Sequence, residues 1–184
     1  RDFVAWVMTG EGLIRLIDGV LLQQPPAIQK FLLKTSILKR FSTDLCQALL
    51  GDDYPNVSVS ACLDWVERAN LFIIPLDDQQ EWYRYHHLFQ DLLEIRLRSG
   101  PEADQVPALH QKAAKWYDAH GLIDEAIYHA LEASDLDLAG RMMERGLCEL
   151  LNREDIPTLG RWLRLLPDDY IPAARLWPGY VTLA

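Results

Sequence analysis

The 184-residue sequence contains three cysteines, Cys46, Cys62 and Cys148, odd in number, far apart and never in a C-x-x-C pair. That pattern argues against a disulfide framework and against a zinc knuckle, and a reducing cytoplasm is its natural setting. No stretch approaches the roughly 18 unbroken apolar residues that a membrane span requires, and Arg1-Asp2 is not the opening of a signal peptide. Positive charge is scarce as well. Lys and Arg number 18 against 27 Asp and Glu, a net charge of -9, which argues against a broad phosphate-backbone footprint. The acidic surplus falls late: residues 101–184 carry 8 basic and 14 acidic side chains, residues 25–98 carry 8 and 10. Catalytic signatures are missing too. Lys34-Thr35-Ser36 resembles the end of a phosphate loop, but no glycine precedes it in a G-x-x-x-x-G-K-[ST] frame. There is no G-x-S-x-G and no H-E-x-x-H, and Asp52-Asp53 and Asp168-Asp169 read as solvated loop ends. These residues are therefore assigned no catalytic group, no metal ligand and no cofactor of their own. The absence of an initiator Met, and an end at Val181 to Ala184 that reads as an interrupted helix, suggest a segment of a longer protein. A motif missing here is then not thereby missing from the parent.

What is present is a 49% hydrophobic chain, enough for one large or two small domains. Leu13, Leu16, Ile17, Val20 and Leu21 recur at helical spacing and stop before Pro25-Pro26, so residues 1–24 read as the end of a preceding helix or a linker. Pro25-Pro26 suits a first helical turn, and Ile28, Phe31, Leu32 and Leu38 carry that helix toward Arg40. Ser42-Thr43-Asp44 caps a short helix with Leu45, Leu49 and Leu50 inward and Gly51 at its close. Beyond the polar loop 52–56, Ala61, Cys62, Trp65, Val66 and Ala69 mark the buried side of a third helix that exits at Asn70. The period then changes to that of strands, in Leu71 to Leu76 and Glu81 to Tyr85, with Asp77 to Gln80 turning between them. Leu88, Phe89, Leu92, Leu93 and Ile95 return the chain to a helix through Arg98, broken at Ser99-Gly100-Pro101.

Three helices followed by a hairpin make a winged helix over residues 25–100. From residue 101 to 184 the chain becomes amphipathic helices starting near Pro107, Ile123, Leu136, Ile156 and Pro172. They group into pairs about 30–35 residues apart, close to the roughly 34-residue period of tetratricopeptide (TPR) arrays. Such pairs stack on neighbours to bury both faces. The expected fold is thus mainly α, a winged-helix module followed by TPR-like helical hairpins.

The segments PPAIQKFLLKTSILKRFSTDLCQALLG, WVERANLFIIPLDD and WYRYHHLFQDLL, with LHQKAAKWYDAHGLIDEAIYHALEASDLDLA and LGRWLRLLP after them, resemble a known family. They look like the winged helix and the start of the superhelical repeats in MalT-like, LuxR-family ATP-dependent transcriptional regulators, part of the STAND class of signalling ATPases. The resemblance covers about three-quarters of the chain and keeps the family's segment order; residues 1–24 depart from it. It implies a cytoplasmic switch whose ATP or ADP is held by an upstream nucleotide-binding domain, against which the winged helix folds. An inducer or regulatory protein acts at the repeats, and a terminal helix-turn-helix reaches DNA once the parent oligomerises. The family's phosphate-sensing histidine falls on His86; His87 stands where relatives use other residues.

The residues alone leave other readings open. A histidine at a strand-to-helix junction is commonly a cap, and a metal site from His86 and His87 is disfavoured because adjacent strand-end histidines face apart and lack a third ligand. Direct DNA reading by the third helix would set Arg68 against Asp64 and Glu67, with Asp77, Asp78 and Glu81 at the wing. Trp65, Trp82, Trp116, Tyr117 and Trp162 read as packing residues. A free-standing DNA-binding winged helix and a repeat scaffold that docks a peptide or partner protein are the competing functions.

Overall fold

In the computed structural model, residues 19–51 and 58–165 are described; the expectations for residues 1–18, the loop 52–56 and the helix start at Pro172 lie outside them. Among the described residues no helix is long and apolar enough to cross a membrane. Two compact units divide after Leu109.

In the first unit, helical residues 19–22 precede α1, Pro26–Thr35. Proline in its first turn gives up an N–H that would have had no intrahelical partner, and Ile28, Phe31 and Leu32 form the buried stripe. The helix stops at Thr35, short of the Arg40 expected from the recurrence of apolar residues. Two hydroxyls explain the early stop: Thr35 Oγ1 donates to the Phe31 carbonyl at 2.7 Å and Ser36 Oγ to the Leu33 carbonyl at 2.6 Å, local bonds that compete with the helical ladder. Ile37 and Leu38 are still buried, in a turn, while Gln90 Nε2 donates to the carbonyls of Ser36 and Leu38.

Helix α2, Thr43–Leu50, is capped by Ser42, whose hydroxyl accepts the Leu45 N–H, and buries Leu45, Cys46, Leu49 and Leu50. Helix α3, Val59–Arg68, buries Val59, Cys62, Leu63 and Val66. Its inward face is therefore rotated from expectation, because Ala61, Trp65 and Ala69 are exposed. The i, i+3, i+4, i+7 set led by Val59 forms a complete stripe, and the indole N–H of Trp65 instead donates to Gln24 Oε1 at 3.1 Å. Asn70 leaves the helix at φ 52°, while the Leu71 N–H reaches back to the Val66 carbonyl, a closure that asparagine tolerates better than most residues.

Strands β1, Ile73–Pro75, and β2, Tyr83–Tyr85, pair antiparallel with Ile74 opposite Arg84. On the other side of β2, Phe41 and Tyr83 exchange two backbone hydrogen bonds of 2.8 Å. Tyr83 and Tyr85 point inward and Arg84 outward, the alternation of a half-buried strand. The Phe41 ring lies 4.7 Å from that of Tyr85, which meets Phe89 edge-on at 5.9 Å. The Tyr85 hydroxyl and Thr35 Oγ1 are 2.7 Å apart. Because Thr35 spends its one proton on Phe31, Tyr85 is the donor of that bond; burial drives its phenol well above the ordinary range. Helix α4, His87–Ser99, then packs Phe89, Leu92, Leu93 and Leu97 inward and leaves Leu88 and Ile95 exposed.

A short 3-10 turn, Ala103–Gln105, leads to α5, Val106–Ala119, which crosses the division between units. The second unit continues with α6, Ile123–Glu132, α7, Leu136–Asn152, and α8, Ile156–Leu163, so the helix starts fall where the pattern placed them. Gly121, at φ 72°, turns the chain between α5 and α6. Asp135 caps α7 by accepting the Leu138 N–H, and Asp155 caps α8 by accepting the Thr158 N–H. Ala113, Ala114, Ala126, Ala130 and Ala139 are fully buried, small side chains that let helices approach closely. Trp162 is buried against Gly146, where an added Cβ would lie 2.7 Å from the ring. Its indole N–H donates to Asp124 Oδ1, and Arg161 makes two bonds of 2.8 Å to the same carboxylate.

Two stability outcomes follow from these contacts. Thr35→Val strands the buried Tyr85 hydroxyl and is expected to cost about 1–3 kcal/mol in urea unfolding, whereas Thr35→Val/Tyr85→Phe should cost less than the sum of the single changes. Gly146→Ala gains about 1 kcal/mol of helix propensity, yet a lower thermal midpoint is expected, because the pinned Trp162 ring must move.

Candidate functional site

The sequence pointed to one histidine, and the wing positions it. Asp77 organises the turn, its Oδ1 accepting the Glu81 N–H at 2.9 Å and its Oδ2 the Trp82 N–H at 2.8 Å. The bond from Glu81, followed by those from its neighbours, holds the Asp77 carboxyl below its usual range. Gln80 takes φ 55°, and the Leu76 N–H closes on the Trp82 carbonyl at 2.8 Å. The Arg40 guanidinium sits 4.9 Å from the Trp82 ring centre, a cation-over-aromatic contact. The end of β2 is thus tied at the turn, to Phe41 and through Tyr85 to α1.

His86 is the next residue. Its N–H donates to the Phe72 carbonyl at 2.7 Å, and its own carbonyl accepts the Gln90 N–H at 3.0 Å. With φ -60° and ψ 133° it is the N-cap of α4, and its side chain makes no capping bond. The ring is half-buried, while His87 and Leu88 are exposed. A 13-residue helix thus begins with amide N–H groups that its cap residue leaves open, and the positive end of its dipole favours an anion. Beside these amides stands an imidazole able to donate one further hydrogen bond.

The two histidine rings do not face apart as expected of strand-end neighbours; their centroids are 4.4 Å apart at 31°. The strand ends at Tyr85, and the extended cap His86 followed by helical His87 removes the alternation on which that expectation rested. Among the described residues no group of three or more His, Cys, Asp or Glu could hold a metal ion.

Phe72 was missed by the sequence reading, which placed it inside a strand. The strand begins at Ile73; Phe72 itself takes φ 56°, is 52% exposed, and lays its ring 5.2 Å from that of Phe89. A bulky aromatic at positive φ is strained, and no apolar pattern announces such a residue. Its carbonyl fixes the His86 backbone, so it belongs to the site. The remaining flagged aromatics divide: Tyr117 and Trp162 are buried, Trp82 and Trp116 half-buried, and Trp65 is 46% exposed. Lys34, Thr35 and Ser36, the phosphate-loop lookalike, are all buried and serve the α1 exit.

The exposed side chains of α3 and the wing include Asp64, Glu67, Asp78 and Glu81 against Arg68 and Arg84. That balance repels a phosphate backbone at the two elements through which winged helices most readily approach DNA.

Residues 17–106 match the sequence family described as the MalT winged helix domain. Two curated relatives, each called HTH-type transcriptional regulator MalT, come from Klebsiella pneumoniae subsp. pneumoniae and Klebsiella pneumoniae strain 342. Each is 32% identical over 152 residues, covering 83% of this chain and 16% of the relative. The chain therefore spans about a sixth of the length of the curated relatives it matches.

The wing geometry carries its own expected outcome. Asp77 gains its bonds only as a carboxylate, so their contribution is present above the unfolded pKa of about 3.9 and lost as pH falls through the lowered folded value. The Glu81 and Trp82 amide resonances are expected to titrate together below pH about 4, and Asp77→Asn should abolish that titration.

Proposed function

Residues 17–106 of this chain belong to the MalT winged helix domain family, and from that premise we propose that it is the regulatory middle of a signal-responsive, ATP-dependent transcriptional activator. The winged helix does no chemistry of its own. It reads the nucleotide held by an adjacent domain of the same polypeptide, and the helical hairpins behind it, a TPR-like array, receive an inducer or a regulatory protein. DNA contact belongs to a helix-turn-helix elsewhere in the parent, which oligomerises on activation and works in the cytoplasm.

One observation carries this reading: His86 caps a 13-residue helix without spending its side chain on that cap, beside a half-open face of the unit. When bound by the neighbouring domain, ADP presents terminal phosphate oxygens, and this chain's part is to meet them. The His86 imidazole donates to one oxygen, and the first-turn amides of α4 offer further donors along the dipole. The Phe72 carbonyl and the Gln90 N–H hold the His86 backbone in place, which limits the freedom the donor gives up. A hydrogen bond to an anion contributes about 1.5–3 kcal/mol, which shifts a balanced closed-to-open equilibrium by about tenfold or more. The acidic faces of α3 and the wing favour a protein neighbour over DNA as the surface they meet.

The test uses the full-length regulator. His86→Ala is expected to accelerate ADP dissociation by about tenfold or more and to raise transcription without inducer, while His87→Ala leaves both near wild type. Unaltered ADP release in His86→Ala would remove the sensing role.

A further inference from the structure

Within the second unit, His110 of α5 and His129 of α6 are enclosed, 1% and 2% exposed, and no part of the nucleotide-sensing reading uses them. Their Nδ1 atoms are 2.9 Å apart, and the rings meet at a centroid distance of 5.0 Å. Tyr117 stacks on His129 at 5.3 Å and 15°, while Tyr128 meets it edge-on at 5.1 Å.

A nitrogen-to-nitrogen contact of that length needs one proton between the two atoms. A neutral pair supplies it when one ring carries its proton on Nδ1 and the other on Nε2. Adding one proton preserves the contact, since an imidazolium then donates to the neutral partner, a charge-assisted bond. A second proton places N–H groups on both facing nitrogens and the contact cannot persist. We propose that His110 and His129 form a proton-counting latch between α5 and α6, closed with no more than one positive charge on the pair and forced open by the second.

The surroundings bear on where the first proton enters. On α5, Lys112 and Asp118 are half-buried, and Asp118 is paired with Arg145 of α7. On α6, Glu125 lies one turn before His129 and is half-buried, and Glu132 lies almost one turn after it, exposed. Asp135 is engaged by Gln111 and the Leu138 N–H. On α7, the buried positions Leu138, Ala139, Met142 and Met143 are uncharged, and Glu144 is half-buried. Asp124 is held by Arg161 and Trp162 of α8. The carboxylates favour a first charge and Lys112 opposes it.

The sign follows. Unfolded histidines each take up a proton below pH about 6.5, whereas the closed latch holds one or none. The unfolded chain then binds more protons, so the latch contributes in full above that pH and is lost as pH falls. Each proton refused lowers the closing equilibrium about tenfold per pH unit.

The 184-residue chain itself is the material for the experiment. Amide exchange over residues 113–117 and 126–130 is to be followed from pH 7.5 to 5.5, after correction for intrinsic exchange, with ring nitrogens observed by NMR. The expected result is a loss of protection that steepens toward about tenfold per pH unit as pH falls below 6.5, and a ring pair that carries no more than one charge until protection is lost. His110→Gln/His129→Gln should flatten the pH dependence of protection. Two fully protonated rings with protection intact would overturn the latch, and the wild-type ring titration decides this even if the double variant does not fold.

Discussion

The placement of His86 depends on a hydrogen bond formed far from any surface. Tyr85 donates to Thr35, and Thr35 donates to the carbonyl of Phe31, so the end of the wing strand is fastened to the last turn of α1. Buried hydroxyls left without partners are costly, so these two groups specify one register for β2 against the helix. A one-residue slip would turn Tyr83 and Tyr85 outward. Since His86 follows Tyr85 directly, the register of the strand sets the start of α4 and the position of its cap.

The same two residues show why the helix boundary was hidden. Periodicity sees Ile37 and Leu38 as further turns of α1, because buried apolar residues in a tight turn carry the same pattern as those in a helix. The chain ends the helix through two hydroxyls at consecutive positions, and Gln90, remote in sequence, accommodates the freed carbonyls. The rotated face of α3 is a similar case: Trp65 and two alanines looked inward by composition, but Val59 and Leu63 complete the better stripe. The hairpin, the wing turn and the breaks at Asn70 and Gly100 were legible because turn residues and alternation report them locally. Phe72 was not, since its positive φ is imposed by the closure of α3 behind it and the His86 N–H ahead of it.

In the second unit the helix starts were legible, but the means of packing were only partly so. Alanines at Ala126, Ala130 and Ala139 can be read as a close-packed face, whereas the fit of Trp162 against Gly146 and Asp124 joins residues on three helices. Likewise, His110 and His129 drew no attention in the sequence, because each lies on an apolar face where a satisfied core histidine is the ordinary case. Only their approach through Nδ1 distinguishes them.

The charge distribution argues for how the winged helix is used. A DNA reader gains most of its affinity from phosphate contacts, and here the exposed third helix and wing tip carry more carboxylates than cations. A surface that closes on another domain has no such requirement. It needs a packed scaffold and a few oriented donors, and behind His86 the aromatic cluster of Phe41, Tyr85 and Phe89, the Phe72 carbonyl and the Gln90 bonds all converge on the start of α4. An imidazole whose backbone is fixed this way would lose less freedom on meeting a phosphate, as the proposed sensing role requires. A surface histidine on a mobile wing would report it far less sharply.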